Sequence, residues 1–128
     1  MPTIVHFEIP SDDIERSKKF YNDLFGWKID KWPGSEHIAH DYWMITTTDD
    51  EGNEALGGGI MKRQSPQQQG ITNYFDVKSV QEYSAKVEQL GGKVILPKRP
   101  VSGMGYFAVC TDTENNGFGI FEVDNTVK

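Results

Sequence analysis

His6 and Glu8 are the two residues whose types and spacing best suit them to chemistry. Both lie in the alternating segment Ile4–Ile9, whose odd-numbered positions are apolar. Because successive side chains of a strand point to opposite faces, this pattern places His6 and Glu8 together on the face away from the apolar set. Their Cβ atoms are then about 7 Å apart, within reach of one bound ligand. The pair could work as acid and base, hold a polar ligand, or be satisfied polar groups in a wet cavity.

A second group of candidate site residues lies at matching positions further along the chain. Thr72 and Tyr74 alternate with their neighbours as His6 and Glu8 do. Two glycines leave room for a closely approaching ligand, and two aromatic residues could stack on a planar one. The predicted ligand-contacting set is therefore His6, Glu8, Thr72, Tyr74, Gly59, Gly119, Trp43 and Tyr106, with His6 and Glu8 as candidate catalytic residues. The glycines could instead mark a bulge or bend, and the aromatic residues could be core or dimer contacts.

The elements that position these residues come from an internal repeat. Each half opens on a strand pattern and continues into a stripe of apolar residues at helical spacing, followed by three more strand patterns. Asp12 with Glu15 and Ser79 with Glu82 indicate the two helix starts. The matched strand segments are Ile4–Ile9 with Ile71–Val77, Tyr42–Thr47 with Tyr106–Thr111, and Gly57–Met61 with Gly117–Phe121. The repeat predicts two βαβββ modules.

The same matches set the predicted domain organisation. Module one spans residues 3–63 and module two spans 71–123, within a single domain of residues 1–128. Residues 64–70 are rich in glutamine with a proline and a glycine, which is typical of an exposed linker.

Composition excludes several classes of protein. The chain has 128 residues, of which 37% are hydrophobic and 12% aromatic, which favours an ordered globular domain over disorder. No apolar run approaches the roughly 18 residues of a membrane span. The net charge of -6 disfavours nucleic-acid binding. A lone cysteine, Cys110, and the absence of a signal-like start predict a location in the reducing cytoplasm.

Short motifs in module one and a hairpin in module two carry a similarity to a known family. They are His6–Pro10, Arg16-Ser17, Phe20-Tyr21, Leu24–Trp27 and Asp112–Gly117. The chain resembles the vicinal oxygen chelate superfamily, which includes glyoxalase I, bleomycin-resistance proteins and extradiol dioxygenases. This resemblance implies an α+β fold in which two βαβββ modules form a cupped eight-stranded mixed sheet with the helices outside. It also implies a ligand cavity inside the cup and frequent homodimers.

The superfamily usually holds a divalent metal through four side chains on the first and last strands of its two modules. Carried over by position, those places fall on His6, Thr72, Gly59 and Gly119. Only His6 is of a ligand type, because threonine binds such metals poorly and glycine has no side chain. We therefore expect no metal and no cofactor. A one-residue error in the register of the last strands would reopen the metal-dependent alternative.

Three functions remain open at this stage. The leading hypothesis is a glyoxalase- or bleomycin-resistance-like protein that binds a small molecule in the cup without the usual metal. The second is a lyase or isomerase similar to lactoylglutathione lyase, acting α to a carbonyl with a metal or through His6 and Glu8. The third is a dimeric interaction module with a vestigial cup. Whether the chain is an enzyme is left undecided by its residues.

Overall fold

The computed structural model describes residues 1–34, 41–65 and 70–128. Its elements follow the order strand, helix and three strands, twice over. They are β1 (Ile4–Ser11), α1 (Ile14–Phe25), β2 (Lys28–Lys31), β3 (Tyr42–Thr46), β4 (Gly58–Lys62), β5 (Thr72–Asp76), α2 (Val80–Gln89), β6 (Lys93–Val101), β7 (Gly105–Thr111) and β8 (Gly117–Val123). The α+β class and the two predicted βαβββ modules are thereby confirmed.

The chain groups into two compact units, each of which contains one helix. The N-terminal unit is His6–Ile71, and the C-terminal unit joins Met1–Val5 to Thr72–Lys128. The predicted linker, residues 64–70, lies partly outside the described residues, since 66–69 are not among them. The single-domain boundary of residues 1–128 stays a prediction. No helix in the described part of the chain is long and apolar enough to cross a membrane.

The N-terminal unit has a mixed sheet in the order β2-β3-β4-β1. β1 runs parallel to β4, whereas β3 is antiparallel to both β2 and β4. Ile9, Ile45 and Ile60 form the buried core on the side that faces α1, where Phe7 and Trp27 also pack. Apolar residues at alternate strand positions therefore cover the apolar stripe of the helix.

The C-terminal unit repeats this arrangement with its sheet in the order β5-β8-β7-β6. β5 is parallel to β8, and β7 is antiparallel to β8 and β6. Its core contains Val77, Val80, Ala108, Cys110 and Ile120, packed between α2 and the sheet.

The helix starts follow the predicted capping chemistry with one correction. Ser79 caps α2, because its side chain accepts a hydrogen bond from the Glu82 amide at 3.1 Å. For α1 the cap is Asp13 and not Asp12, since the Asp13 carboxylate accepts the Arg16 amide. Asp12 instead pairs with Arg63 at 3.0 Å. Two adjacent aspartates give nearly equal capping signals, so the sequence pattern was wrong by one residue.

Candidate ligand-binding site

One face of the N-terminal sheet carries the predicted pair His6 and Glu8. β1 alternates as expected, with Phe7 and Ile9 in the helix-facing core. Glu8 pairs with Gly59 of β4, and Gly59 pairs with Met44 of β3. Paired residues share a face of the sheet, so Gly59 lies on the same face as His6 and Glu8. Tyr42 is two residues before Met44 on β3 and lies on the same face. We call this surface, which carries His6, Glu8, Gly59, Met44 and Tyr42, the polar face of the unit.

Tyr42 joins His6 and Glu8 through its hydroxyl group. The hydroxyl lies 2.7 Å from His6 Nε2 and donates to Glu8 Oε2 at 2.8 Å. The hydroxyl has a single proton, which it donates to Glu8. Its oxygen therefore accepts the hydrogen bond from His6, and the hydrogen of that bond is on His6 Nε2. The imidazole and phenol rings are nearly parallel, with an interplanar angle of 18°. Tyr42 is only 8% exposed, and the two hydrogen bonds are partly buried.

Burial lowers the pKa of His6 from its ordinary value of about 6.5. The imidazole is therefore neutral near pH 7, with its hydrogen on Nε2. A neutral histidine next to a phenol and a carboxylate can accept or release a proton, or bond a polar ligand.

We expect the stability of the protein to fall as the pH drops below about 6.5, because of His6. The unfolded chain takes up a proton at His6 at a pH where the folded chain does not, so acid favours unfolding. Urea denaturation at several pH values measures this slope. The His6→Gln variant, which keeps His37 and His40, should show a shallower slope. Equal slopes for the two proteins would contradict the assignment.

Gly59 and Gly119 were predicted to leave room for a ligand, and this prediction was wrong. Tyrosine rings fill the space beside both glycines. A Cβ atom on Gly59 would overlap the hydroxyl oxygen and ring carbons of Tyr42. In the C-terminal unit a Cβ atom on Gly119 would overlap ring carbons of Tyr74. Each glycine is thus required by the close approach of an aromatic side chain to the strand backbone.

Trp43 and Tyr106 do not share a face with the candidate polar residues. Trp43 packs on the helix-facing core of the N-terminal unit, and Tyr106 packs on that of the C-terminal unit. The prediction that they line the site with the other candidates was wrong. Successive residues of a strand point to opposite faces, and these two point to the helix side. On β3 and β7, the aromatic residues that lie on the site-bearing faces are Tyr42 and Phe107.

The sequence match between the third strands of the modules was wrong by one residue. Met44 pairs with Gly59, and Val109 pairs with Gly119, so Tyr42 corresponds to Phe107 and not to Tyr106. The predicted set took Trp43 from this strand and did not include Tyr42, and strand alternation places the two residues on opposite faces. The strand-pair register, which depends on the hairpin lengths, was the signal that could have found it.

In the C-terminal unit, Thr72, Tyr74 and Gly119 lie on one face of the sheet. Tyr74 pairs directly with Gly119, and Thr72 is two residues earlier on the same strand. Tyr74 is buried and contacts Phe107 edge to face, with ring centroids 6.4 Å apart. The structure therefore brings His6, Glu8 and Gly59 together in one unit, and Thr72, Tyr74 and Gly119 together in the other.

The side chains at the four family metal positions do not fit a metal ion. Strand register confirms that Gly59 and Gly119 stand on the expected faces of β4 and β8, so the positions are not displaced by one residue. Glu122, the nearest acidic residue on β8, faces the helix and accepts the Val80 amide at the start of α2. Within residues 1–34, 41–65 and 70–128, no three His, Cys, Asp or Glu side chains group as metal ligands.

A separate apolar cavity of about 330 Å³ lies in the C-terminal unit, on the side of the sheet that α2 covers. Its lining residues are Pro2, Phe75, Val77, Tyr83, Phe118 and Ile120. None of the predicted site residues borders it. We therefore place the candidate site at the polar face, where hydrogen-bonding groups converge that could orient a ligand.

Comparison with known proteins gives one family model and one curated relative. Residues 3–38 match the model described as bleomycin resistance protein-like N-terminal. A glyoxylase-like domain-containing protein from Didymella fabae is 30% identical over 86 residues. That alignment covers 67% of this chain and 66% of the relative.

Several solved structures share the fold at low sequence identity. A variant of methylmalonyl-CoA epimerase from Streptomyces coelicolor, in complex with 2-nitronate-propionyl-CoA, superposes with a TM-score of 0.68 at 15% identity, covering 94% of this chain and 96% of that one. The Mycobacterium tuberculosis epimerase gives 0.66 at 11% identity, covering 94% and 87%. A hypothetical protein from Bacillus halodurans C-125 gives 0.64 at 15%, covering 99% and 98%. At these identities the likeness concerns the fold alone.

Proposed function

We propose that this chain, which belongs to the vicinal oxygen chelate superfamily, binds a small molecule at the polar face of its N-terminal unit without the superfamily's usual metal ion. The observation that carries this proposal is the Tyr42 hydroxyl held between His6 and Glu8. These groups supply the few convergent polar contacts that fix a ligand's orientation.

The surroundings of this cluster suit an organic ligand with an apolar part. Met61 lies on the same face of β4 as Gly59, and Met44 lies beside them on β3. Trp32 contacts Tyr42 edge to face, with ring centroids 6.0 Å apart. Flexible methionines and a flat aromatic wall adapt to varied ligand shapes, while the polar cluster selects for hydrogen-bonding groups.

The alternative is a lyase or isomerase that acts α to a carbonyl. Two observations favour it: the neutral His6 beside Glu8, and the fold shared with epimerases solved with CoA derivatives. His6 or Glu8 would then take the proton from carbon, and Tyr42 would hold the pair in position. Turnover of carbonyl substrates that survives in both His6→Ala and Glu8→Ala would contradict this mechanism.

We further propose a homodimer in the cytoplasm. α1 leaves Phe20, Leu24 and Phe25 more than half exposed, and such apolar residues favour contact with a second copy. These residues also support the remaining alternative, in which the chain is a dimeric interaction module with a vestigial cup. A lone buried cysteine, Cys110, is consistent with a reducing compartment.

Native mass spectrometry of protein purified without chelator tests the proposed function. We expect each chain to carry no metal and to retain an organic molecule. Tyr42→Phe removes one hydroxyl while keeping the ring above Gly59, so the bound organic mass should be reduced or lost. One metal ion per chain, removed together with activity by a chelator, would contradict the proposal and favour a metal-dependent enzyme. A bare dimer with an empty site would favour the interaction module.

A further inference from the structure

The Tyr42 ring occupies the space that a side chain at position 59 would need. A Cβ atom there would overlap both the hydroxyl oxygen and the adjoining ring carbons. A metal-ligating side chain at position 59 and the observed position of Tyr42 therefore exclude each other. Gly59 and Tyr42 form a matched pair, in which the missing side chain of one is replaced by the ring of the other.

The Tyr42 hydroxyl also occupies the point on which His6 and Glu8 converge. His6 Nε2 and Glu8 Oε2 lie 2.7 and 2.8 Å from its oxygen. Imidazole nitrogen and carboxylate oxygen are the donor atoms that a divalent metal would use. Both atoms bond to the phenol, so a metal ion at the point between them would have to displace the Tyr42 hydroxyl.

We infer that Tyr42 has taken the place of a metal ion in this site, both filling the space of the missing ligand at position 59 and serving as the shared partner of His6 and Glu8. The site therefore selects ligands that form hydrogen bonds and rejects ligands that need a cation to chelate. This inference deepens the proposed function and rests on it, because a metal-loaded native protein would remove its premise.

Restoring a metal site by two substitutions tests the inference. In the double variant Tyr42→Ala with Gly59→His, the phenol is removed and an imidazole is placed opposite Glu8, which gives two histidines and one carboxylate on one face. We expect this variant to bind Zn²⁺ at least about tenfold more tightly than the matched variant Tyr42→Ala with Gly59→Ala. Competition with a chromophoric chelator measures the affinity. Adding His6→Ala should abolish the gain.

The wild-type protein supplies the complementary measurement. Its Zn²⁺ affinity should be unchanged by His6→Ala, because the phenol already holds the imidazole. Tyr42→Phe keeps the ring and removes the hydroxyl, so it should still exclude Zn²⁺ while the ¹⁵N shifts of the His6 ring lose the preference for the Nε2–H form.

The outcomes separate the inference from the proposed function. A wild-type protein that holds a metal through His6 contradicts both. A metal-free wild type whose folded double variant binds Zn²⁺ no better than the Gly59→Ala control contradicts the inference alone. If the double variant does not fold, an unchanged His6 ¹⁵N pattern in Tyr42→Phe overturns the shared-partner role on its own.

Discussion

Replacing Gly119 by alanine is expected to lower the free energy of unfolding by about 2–3 kcal/mol, as overpacking of a dense interior does. The added methyl group would overlap ring carbons of Tyr74 near the base of the side chain, where the ring has little freedom to move. Tyr74 is buried and already packs against Phe107, so a displaced ring has no ready space. Urea denaturation followed by tryptophan fluorescence measures the loss.

Gly117 on the same strand provides the matched control. A Cβ atom there meets nothing within 4 Å, and its backbone is not left-handed. Gly117→Ala should therefore change the free energy of unfolding by no more than about 0.5 kcal/mol. Equal losses for the two variants would show that the Tyr74 ring moves freely and that Gly119 is not needed for its position.

The fold could be predicted from the sequence because its signals are local and repeated. Alternation in Ile4–Ile9 placed His6 and Glu8 on one face, and the structure puts Phe7 and Ile9 opposite them in the core. Helical spacing and capping at Ser79 located α2. These signals depend on residues a few positions apart, and the internal repeat provides each of them twice.

The arrangement of the site could be predicted only in part because it depends on strand register. Tyr42 reaches His6 across 36 residues of sequence, through the pairing of β3 with β4 and of β4 with β1. The sequence pattern could not decide which of Tyr42 and Trp43 faces the site, because a one-residue change of register exchanges the two faces of a strand. The role of Gly59 was missed because a glycine does not reveal in sequence which ring lies over it.

The apolar cavity in the C-terminal unit had no signal in the sequence. In the N-terminal unit, β1 and α1 are joined by a hydrogen bond between the Ser11 and Ser17 side chains at 2.6 Å. Val77 and Tyr83 stand at those places in the second module and border the cavity. Both pairs of residues fit the same strand and helix patterns. Periodicity therefore could not show that the first pair forms a direct contact while the second borders a cavity.

Replacing Ile60 by alanine is expected to have the largest effect on stability, a loss of about 3–4 kcal/mol. Ile60 is 0% exposed and packs with Ile9 and Ile45 beneath α1. Truncation removes buried methyl groups and leaves a cavity that a close-packed core fills poorly. Ile95→Ala is the control, because Ile95 is 59% exposed on β6, and its loss should stay within about 1 kcal/mol.

Ile60 is adjacent to Gly59 but points to the other face of β4, so this variant separates stability from the site. The bonds from Tyr42 to His6 and Glu8 lie on the opposite side of the sheet from the Ile60 side chain. At temperatures where the variant remains folded, the His6 ¹⁵N shifts and the bound organic mass should match the wild type. A changed His6 signal in folded Ile60→Ala would mean that the core beneath α1 sets the geometry of the polar face. In that case Gly59 and Tyr42 alone would not account for it.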